Sequence, residues 1–273
     1  MGIRINTNVA SLNTQRNLYN STVSFNKSME KLASGLRINR AADDAAGLAI
    51  SEGMKSDIRA LGQAARNASD GISMSQTAEG ALDEVSSILL RMKELAEQSL
   101  GGTLSGAQQD YLDAEYQELS AEIDRIAAGT EFNDISLLDG TLDVDIQVGI
   151  DTSATASINV ALATNMNAAG LGLAANIGST GAPGTALTQV DAAIATVSSA
   201  RADFGAKQNR FESSVRNIQN TAENLSAANS RIRDVDVASE TSKMTSYQIL
   251  QQAGVSVLSQ ANMTTGLALS LLQ

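Results

Sequence analysis

Asp43 and Asp44, immediately ahead of AAGLAIS, are the carboxylate pair in this chain that most resembles a motif. Paired carboxylates perform general acid–base chemistry when a pocket drives their pKa values apart, and nothing around these two predicts such a pocket. Acids just ahead of a helix are also favoured by its positive end, by about 0.3–1 kcal/mol each, and that structural role is the one assigned here. The chain has no His, no Cys and no Trp. Zinc sites of imidazole or thiolate, Ser–His triads, Cys nucleophiles and disulfides are therefore excluded. No catalytic residue, metal site or cofactor is expected. Asp and Glu number 30 against 19 Lys and Arg, a net charge of −11, which argues against a nucleic-acid binder with a diffuse basic surface.

The elements that would position such residues are helical. Aromatic residues make up 3% of the chain, hydrophobic residues 43%, and Pro183 is the one proline. A core of Ala, Leu, Ile and Val with so few rings suits long, closely packed helices. From Leu187 the apolar positions advance by three and four in alternation through Val190, Ile194, Val197, Phe204, Phe211, Val215, Ile218 and Leu225 to Ile232. Arg201, Gln208 and Asn229 interrupt this coiled-coil-like seam, and polar residues at such positions set register. An earlier helix carries two parallel stripes, one through Ile58, Leu61, Ala68 and Leu82, the other through Val85, Ile88, Met92 and Leu95, and stops at Gly101-Gly102. A third, through Leu112, Tyr116, Leu119, Ile123 and Ile126, ends near Gly129.

The period then falls to two. Leu142, Val144, Ile146, Val148 and Ile150 alternate with polar residues, and Ala156, Ile158, Val160 and Leu162 do so after the turn DTSAT, which predicts a β-hairpin. Residues 163–186, mostly Ala, Gly, Thr, Asn and Ser with Pro183, read as a loop or short irregular insert, of which 165–186 are expected to be dispensable for assembly. Both chain ends carry seams again: Leu18, Thr22, Phe25, Met29, Leu32, Leu36, and Val255, Leu258, Asn262, Thr265, Leu269, Leu272. Such helices are marginal alone, so the ends are expected to order on finding partners. The uncharged run 244–273 is broken by Gln, Ser, Asn and Thr and is not read as a membrane span. Nor does the N-terminus show the apolar core of a cleaved secretory signal. Residues 1–40 carry Arg4, Arg16, Lys27, Lys31, Arg37 and Arg40 against Glu30, read as one polar helix face.

These pieces resemble bacterial flagellin over nearly the full length. MGIRINTNVASLNTQRNL is similar to the family's N-terminal segment, and LASGLRINRAADDAAGLAISE at 32–52 to its most recognisable internal motif. RMKELAEQS, EIDRIAAGTEFND and IQVG follow in order, and SRIRDVDVASETSKMTSYQILQQAGVSVLSQAN resembles the C-terminal segment. The chain departs in its minimal variable region and in ending on Gln273 where many relatives end in Arg.

The resemblance implies a mainly α protein in which a long antiparallel, coiled-coil-like rod is built from both chain ends, with a small β-hairpin region. Residues 1–44 and 234–273 would form an inner terminal-helix domain. Residues 45–164 and 187–233 would form a rod domain with its hairpin near 141–162, and 165–186 a short variable insert. The implied function is a structural homopolymer, the flagellar filament, outside the cell. Export would run unfolded through the flagellar type III system, without a cleaved signal. The implied partners are an export chaperone, the filament cap and hook–filament junction proteins, with no nucleic acid and no membrane insertion. Subunit-interface candidates are Leu18, Phe25, Met29, Leu32, Leu36, Val255, Leu258, Leu269 and Leu272, and Arg37, Asn39, Asp43 and Asp44 form a layer-linking motif. Arg91, Leu95 and Glu115 match positions read by a toll-like receptor that detects flagellin. A hook–filament junction protein of similar terminal sequence is the alternative. The metalloprotease helix of some flagellin inserts is closed to a chain without His.

Overall fold

The computed structural model describes residues 7–151 and 153–270, with side chains excepted at 154 and 264–270. The fold is mainly α, as expected. The elements are helices α1 (Val9–Ser34), α2 (Ala45–Leu100), α3 (Gly106–Gly129), α4 (Pro183–Arg233) and α5 (Val237–Ser270), with two small sheets between α3 and α4 in the chain. The chain gathers into two compact units, Met1–Ser56 with Asn224–Gln273, and Asp57–Glu223. Helices α2 and α4 contribute to both.

In the first unit α1 and α5 run antiparallel. Asn8 caps α1, its side chain accepting from the Ser11 N–H at 3.0 Å, and its Nδ2 donates to the Ala261 carbonyl at 2.9 Å. Further along, Gln251 Nε2 donates to Thr22 Oγ1 at 3.0 Å and Ser28 Oγ to Glu240 Oε1 at 2.7 Å. Helix α1 stops at Gly35, whose φ of 71° is the left-handed conformation that favours glycine at a C-cap. A bridge between Leu36 and Asp234 then ties the two connecting segments together. Asp236 opens α5, its carboxylate accepting from the N–H groups of Ala238 and Ser239 at 3.0 and 3.2 Å.

The seams of the second unit form its core. Val190, Val197, Phe204 and Phe211 of α4 are buried with Leu82, Val85, Leu89, Met92 and Leu95 of α2 and Tyr116 and Ile123 of α3. Polar residues that interrupt the α4 stripe face partners on α2: Arg201 pairs with Asp83 at 2.9 Å, and Gln208 Nε2 donates to Glu79 at 2.8 Å. In the first unit Asn229 accepts from Ser51 Oγ at 2.7 Å. Lys93 and Asp191 add an ion pair at 2.7 Å. These ties fix which residue faces which, in the manner expected of polar groups along a seam. Burial pushes the Tyr116 hydroxyl up to about 12.

The predicted hairpin is present as β3 (Leu142–Gln147) and β4 (Ser157–Leu162), antiparallel, with Leu142 opposite Leu162, Val144 opposite Val160 and Ile146 opposite Ile158. One face packs on the core; on the other, Asn159 Nδ2 donates to Asp143 and Asp145 at 2.7 and 3.1 Å. Ahead of it lies a hairpin that the periodicity did not predict, β1 (Glu131–Phe132) with β2 (Ile135–Ser136). Its two-residue turn places Asn133 and Asp134 at φ 52° and 63°. Asn and Asp tolerate that region better than other side chains, and the paired positive φ values match the right-handed twist of a hairpin.

Residues 163–182 are irregular, as the loop reading expects. They form neither helix nor strand, yet Met166, Ala168, Leu171, Leu173 and Ile177 are buried in the core of the second unit. Three carboxylates of α3 receive this strap: Asp124 accepts from the Ala168 N–H at 2.8 Å, Asp113 from the Ile177 N–H at 2.9 Å, and Asp110 from the Ser179 N–H at 2.9 Å. Backbone donors that lack a ladder are thus satisfied by side chains.

Candidate functional site

The four residues Arg37, Asn39, Asp43 and Asp44, expected to link layers, lie in a backbone-anchoring turn. Arg37 donates from Nε and Nη2 to the Ile232 carbonyl at 3.1 and 2.6 Å, and its N–H to the Arg233 carbonyl at 2.6 Å. Asn39 Nδ2 donates to Ser34 Oγ at 2.8 Å. Asp43 accepts from the N–H groups of Asn39 and Arg40 at 3.2 and 3.1 Å. The Arg40 N–H, against the opposing effect of burial and with help from Asn39, Lys31 and Lys27, holds the Asp43 carboxyl below the usual carboxylate range. Asp44 caps α2 by accepting from the Gly47 N–H at 2.9 Å. The helix-start reading holds for Asp44, whereas Asp43 serves the turn ahead of it. Ile38 between them and Arg37 is buried, and Arg233 closes the region by an ion pair with Glu52.

Of the terminal interface candidates, Leu18, Phe25, Leu32, Leu36 and Leu258 are half-buried where α1 meets α5. Leu18 lies over Gly254, where a Cβ would stand 3.8 Å from its own. Met29 and Val255 are instead exposed, at 47% and 56%. The contact line runs one residue earlier on each helix, through Ser28 and Gly254, because small or hydrogen-bonding residues allow the closer approach. Leu269 lies in α5 with its side chain outside the described residues, and Leu272 lies outside the described residues altogether.

The side chains buried in α1 are Ser11 and Ser28, and the one buried in α5 among the described residues is Glu240. The bulky apolar groups point away: Leu12, Tyr19 and Val23 form a stripe on the outside of α1, and Ile249, Leu250, Val255 and Val257 stand outside α5. Contiguous exposed apolar surface of this kind marks an interaction site. Seam counting passed over Leu12, Tyr19, Leu250 and Val257; the signal was their spacing at seven residues off the seam.

Arg91 and Glu115 form a two-bond ion pair across α2 and α3, at 3.0 and 2.8 Å, with Glu94 as a second partner of Arg91 at 3.0 Å. The hydrogen bond Arg91 donates to Glu115, reinforced by the one to Glu94, raises the guanidinium pKa. Leu95 is 1% exposed, so its side chain packs in the core and offers no surface. Among the described residues no helix is long and apolar enough to cross a membrane.

A helix-dominated chain whose two ends pair, with an apolar skin outside the pair, defines the class of helical assembly proteins. Comparison narrows the class. The model of the bacterial flagellin N-terminal helical region matches residues 5–143 and that of the C-terminal helical region residues 187–272. Flagellin of Halalkalibacterium halodurans is 47% identical over 271 residues, covering 98% of this chain and 99% of the relative. Flagellin of Bacillus subtilis is 44% identical over 308 residues, covering 99% and 100%. The crystal structure of Bacillus cereus flagellin superposes with a TM-score of 0.50 at 34% identity, covering 60% of this chain and 94% of that one. The chain belongs to the bacterial flagellin family.

Proposed function

We propose that this chain, by its family a structural subunit of the extracellular flagellar filament, polymerises through the outer faces of α1 and α5. The observation that carries the reading is the distribution of side chains on the terminal helices. The side chains buried deepest where α1 meets α5 are Ser11, Ser28 and Glu240, while Leu12, Tyr19, Val23, Leu250 and Val257 stay exposed. Burying such side chains fully is worth about 1.5–3 kcal/mol each, and copies of the same chain supply the cover. Assembly proceeds under the filament cap and is bounded by hook–filament junction proteins. Before it, the chain leaves the cell unfolded through the type III system with an export chaperone on its ends. The two units divide the labour, the terminal one as the inner layer and the Asp57–Glu223 unit as the outer. The test is seeded growth of purified protein followed by electron microscopy. Wild type should give long filaments, whereas Leu12→Asp and Val257→Asp should remain monomeric with helicity unchanged. Normal filaments from both variants would remove the reading.

The exposed Arg91–Glu115 pair favours a second reading for the monomer, as the feature a toll-like receptor reads. Arg91→Ala and Glu115→Ala are each expected to shift a reporter-cell dose response to higher concentration, and an unchanged response to both would sink it.

A further inference from the structure

The β3–β4 sheet has two strands, so the ladder leaves one edge of each strand free. One bond fixes which backbone groups lie on those edges. The Val148 N–H donates to the Ala156 carbonyl at 2.8 Å, the next pair beyond Gln147 and Ser157. Opposed residues of an antiparallel ladder alternate between bonded and non-bonded pairs. Leu142, Val144 and Ile146 therefore turn their backbone groups towards β4, and Asp143, Asp145 and Gln147 turn theirs outward. Two side chains agree with that count. The outward Asn159 carbonyl of β4 accepts from Lys207 Nζ at 2.7 Å, and the outward Gln147 carbonyl of β3 accepts from Asn67 Nδ2 at 3.1 Å. Helix α4 thus occupies the edge of β4, and α2 holds one end of the edge of β3. Between Asp143 and Asp145 the edge pairs with no further strand among the described residues, and both residues are exposed. A groove of about 620 Å³ borders this edge. Met74 of α2, Phe132 and Ile135 of the first hairpin, and Val144 and Ile146 of β3 give it apolar walls, and Asp70 and Asp145 its charge.

We propose that the free edge of β3 is a docking site for an extended segment of another protein in which basic and apolar residues alternate. Such a segment adds a strand by pairing its backbone with the outward groups of Asp143 and Asp145, the mode in which main-chain bonds give affinity and alternate side chains give specificity. Its apolar side chains share the sheet face of Val144 and Ile146 and enter the groove. Its basic side chains lie on the other face, opposite Asp143 and Asp145, whose carboxylates already accept together from Asn159 Nδ2. Opposite charges directly across a strand pair stabilise it and like charges destabilise it. The same two carboxylates therefore reject β3 of a second copy, which would set acid against acid. Charge draws the same partner from a distance, since the Asp57–Glu223 unit carries 23 Asp and Glu against 9 Lys and Arg.

The test is fluorescence anisotropy of the labelled peptide GKVRVKVG titrated with the full-length monomer, together with amide exchange of β3. The peptide should bind, and the exchange of the Asp143 and Asp145 amides should slow on binding. A charge-reversed peptide, GEVEVEVG, should bind at least tenfold more weakly, and a scrambled peptide of the first composition at least fivefold more weakly. Asp143→Asn combined with Asp145→Asn, which keeps acceptors for Asn159, should weaken binding at least tenfold. Glu97→Gln combined with Glu118→Gln removes the same charge away from the edge and should change binding less than twofold. Equal binding of the scrambled peptide, or an equal loss in both double variants, would reduce the effect to general attraction towards an acidic unit and overturn the proposal. Absence of binding, or unaltered exchange at Asp143 and Asp145 in the wild-type chain, would overturn it without reference to any variant. So would loss of filament growth in the Asp143→Asn, Asp145→Asn chain with peptide binding abolished by assembly, since the edge would then belong to a second copy.

Discussion

At the scale of residues, the acids of this protein work on backbone and hydroxyl donors. Burial alone would raise the Glu240 carboxyl, but hydrogen bonds from Ser28 and Lys243 and the charges of Lys243 and Lys31 outweigh it and hold it below its ordinary value of 4.5. A depressed carboxylate pKa contributes stability that is complete above the unfolded value and lost as pH falls through the folded one. Amide exchange in α5 should therefore accelerate on acidification below about pH 4.5, and Glu240→Gln should flatten that dependence. Asp44 is a cap whose loss is easily measured: Asp44→Ala should destabilise the first unit by about 1 kcal/mol in denaturant unfolding. Sequence placed Asp44 at a helix start, since type and position were enough, but not Asp43 in the turn ahead of it. It could not foresee Glu240 as a buried group, because a Glu in the first turn of a helix ordinarily faces water.

Among the elements, the long helices and the β3–β4 hairpin were legible because one repeating period ran through each. Val190, Val197, Phe204 and Phe211 fall on the buried line as counted. Helices α1 and α5 were legible as helices but not in their facing: Met29 and Val255 scored as seam by hydrophobicity, whereas Ser28 and Gly254 sit at the contact. Closeness of approach outweighed apolar area there. The burial of the 163–182 strap was illegible for a different reason. Its apolar residues follow no period, so composition suggested only a loop, while five of them lie in the core. Ile177→Ala should cost about 2–5 kcal/mol, and deletion of 165–186 should lower the thermal midpoint of the Asp57–Glu223 unit sharply. A deletant with an unchanged melting curve would show the strap to be dispensable after all.

For the whole molecule, the two units differ in how they hold together. The Asp57–Glu223 unit is one continuous stretch with a core of large side chains, whereas the other joins two distant stretches along a contact whose apolar side chains are only half-buried. A fragment 57–223 is therefore expected to fold cooperatively, stay monomeric and form no filaments. Gel filtration and calorimetry check this, and a fragment without a cooperative transition would show that the second unit needs the first. The apolar skin of α1 and α5 is absent from that fragment, which ties its failure to assemble to the surfaces named above.

The ties between α2 and α4 also bear on mechanics. Lys93–Asp191, Asp83–Arg201 and Glu79–Gln208 are spread along two antiparallel helices of the same unit. Force applied at residues 57 and 223, which lie at the same end of the pair, peels these ties open one after another. Force applied through cysteines at Leu100 and Glu223 slides the helices lengthwise, so every tie and every interlocked core side chain must yield together. Optical-trap records should show low, stepwise opening in the first geometry and a single rupture at higher force in the second. The pairing of α2 with α4 is thus stiffer along the helices than across them.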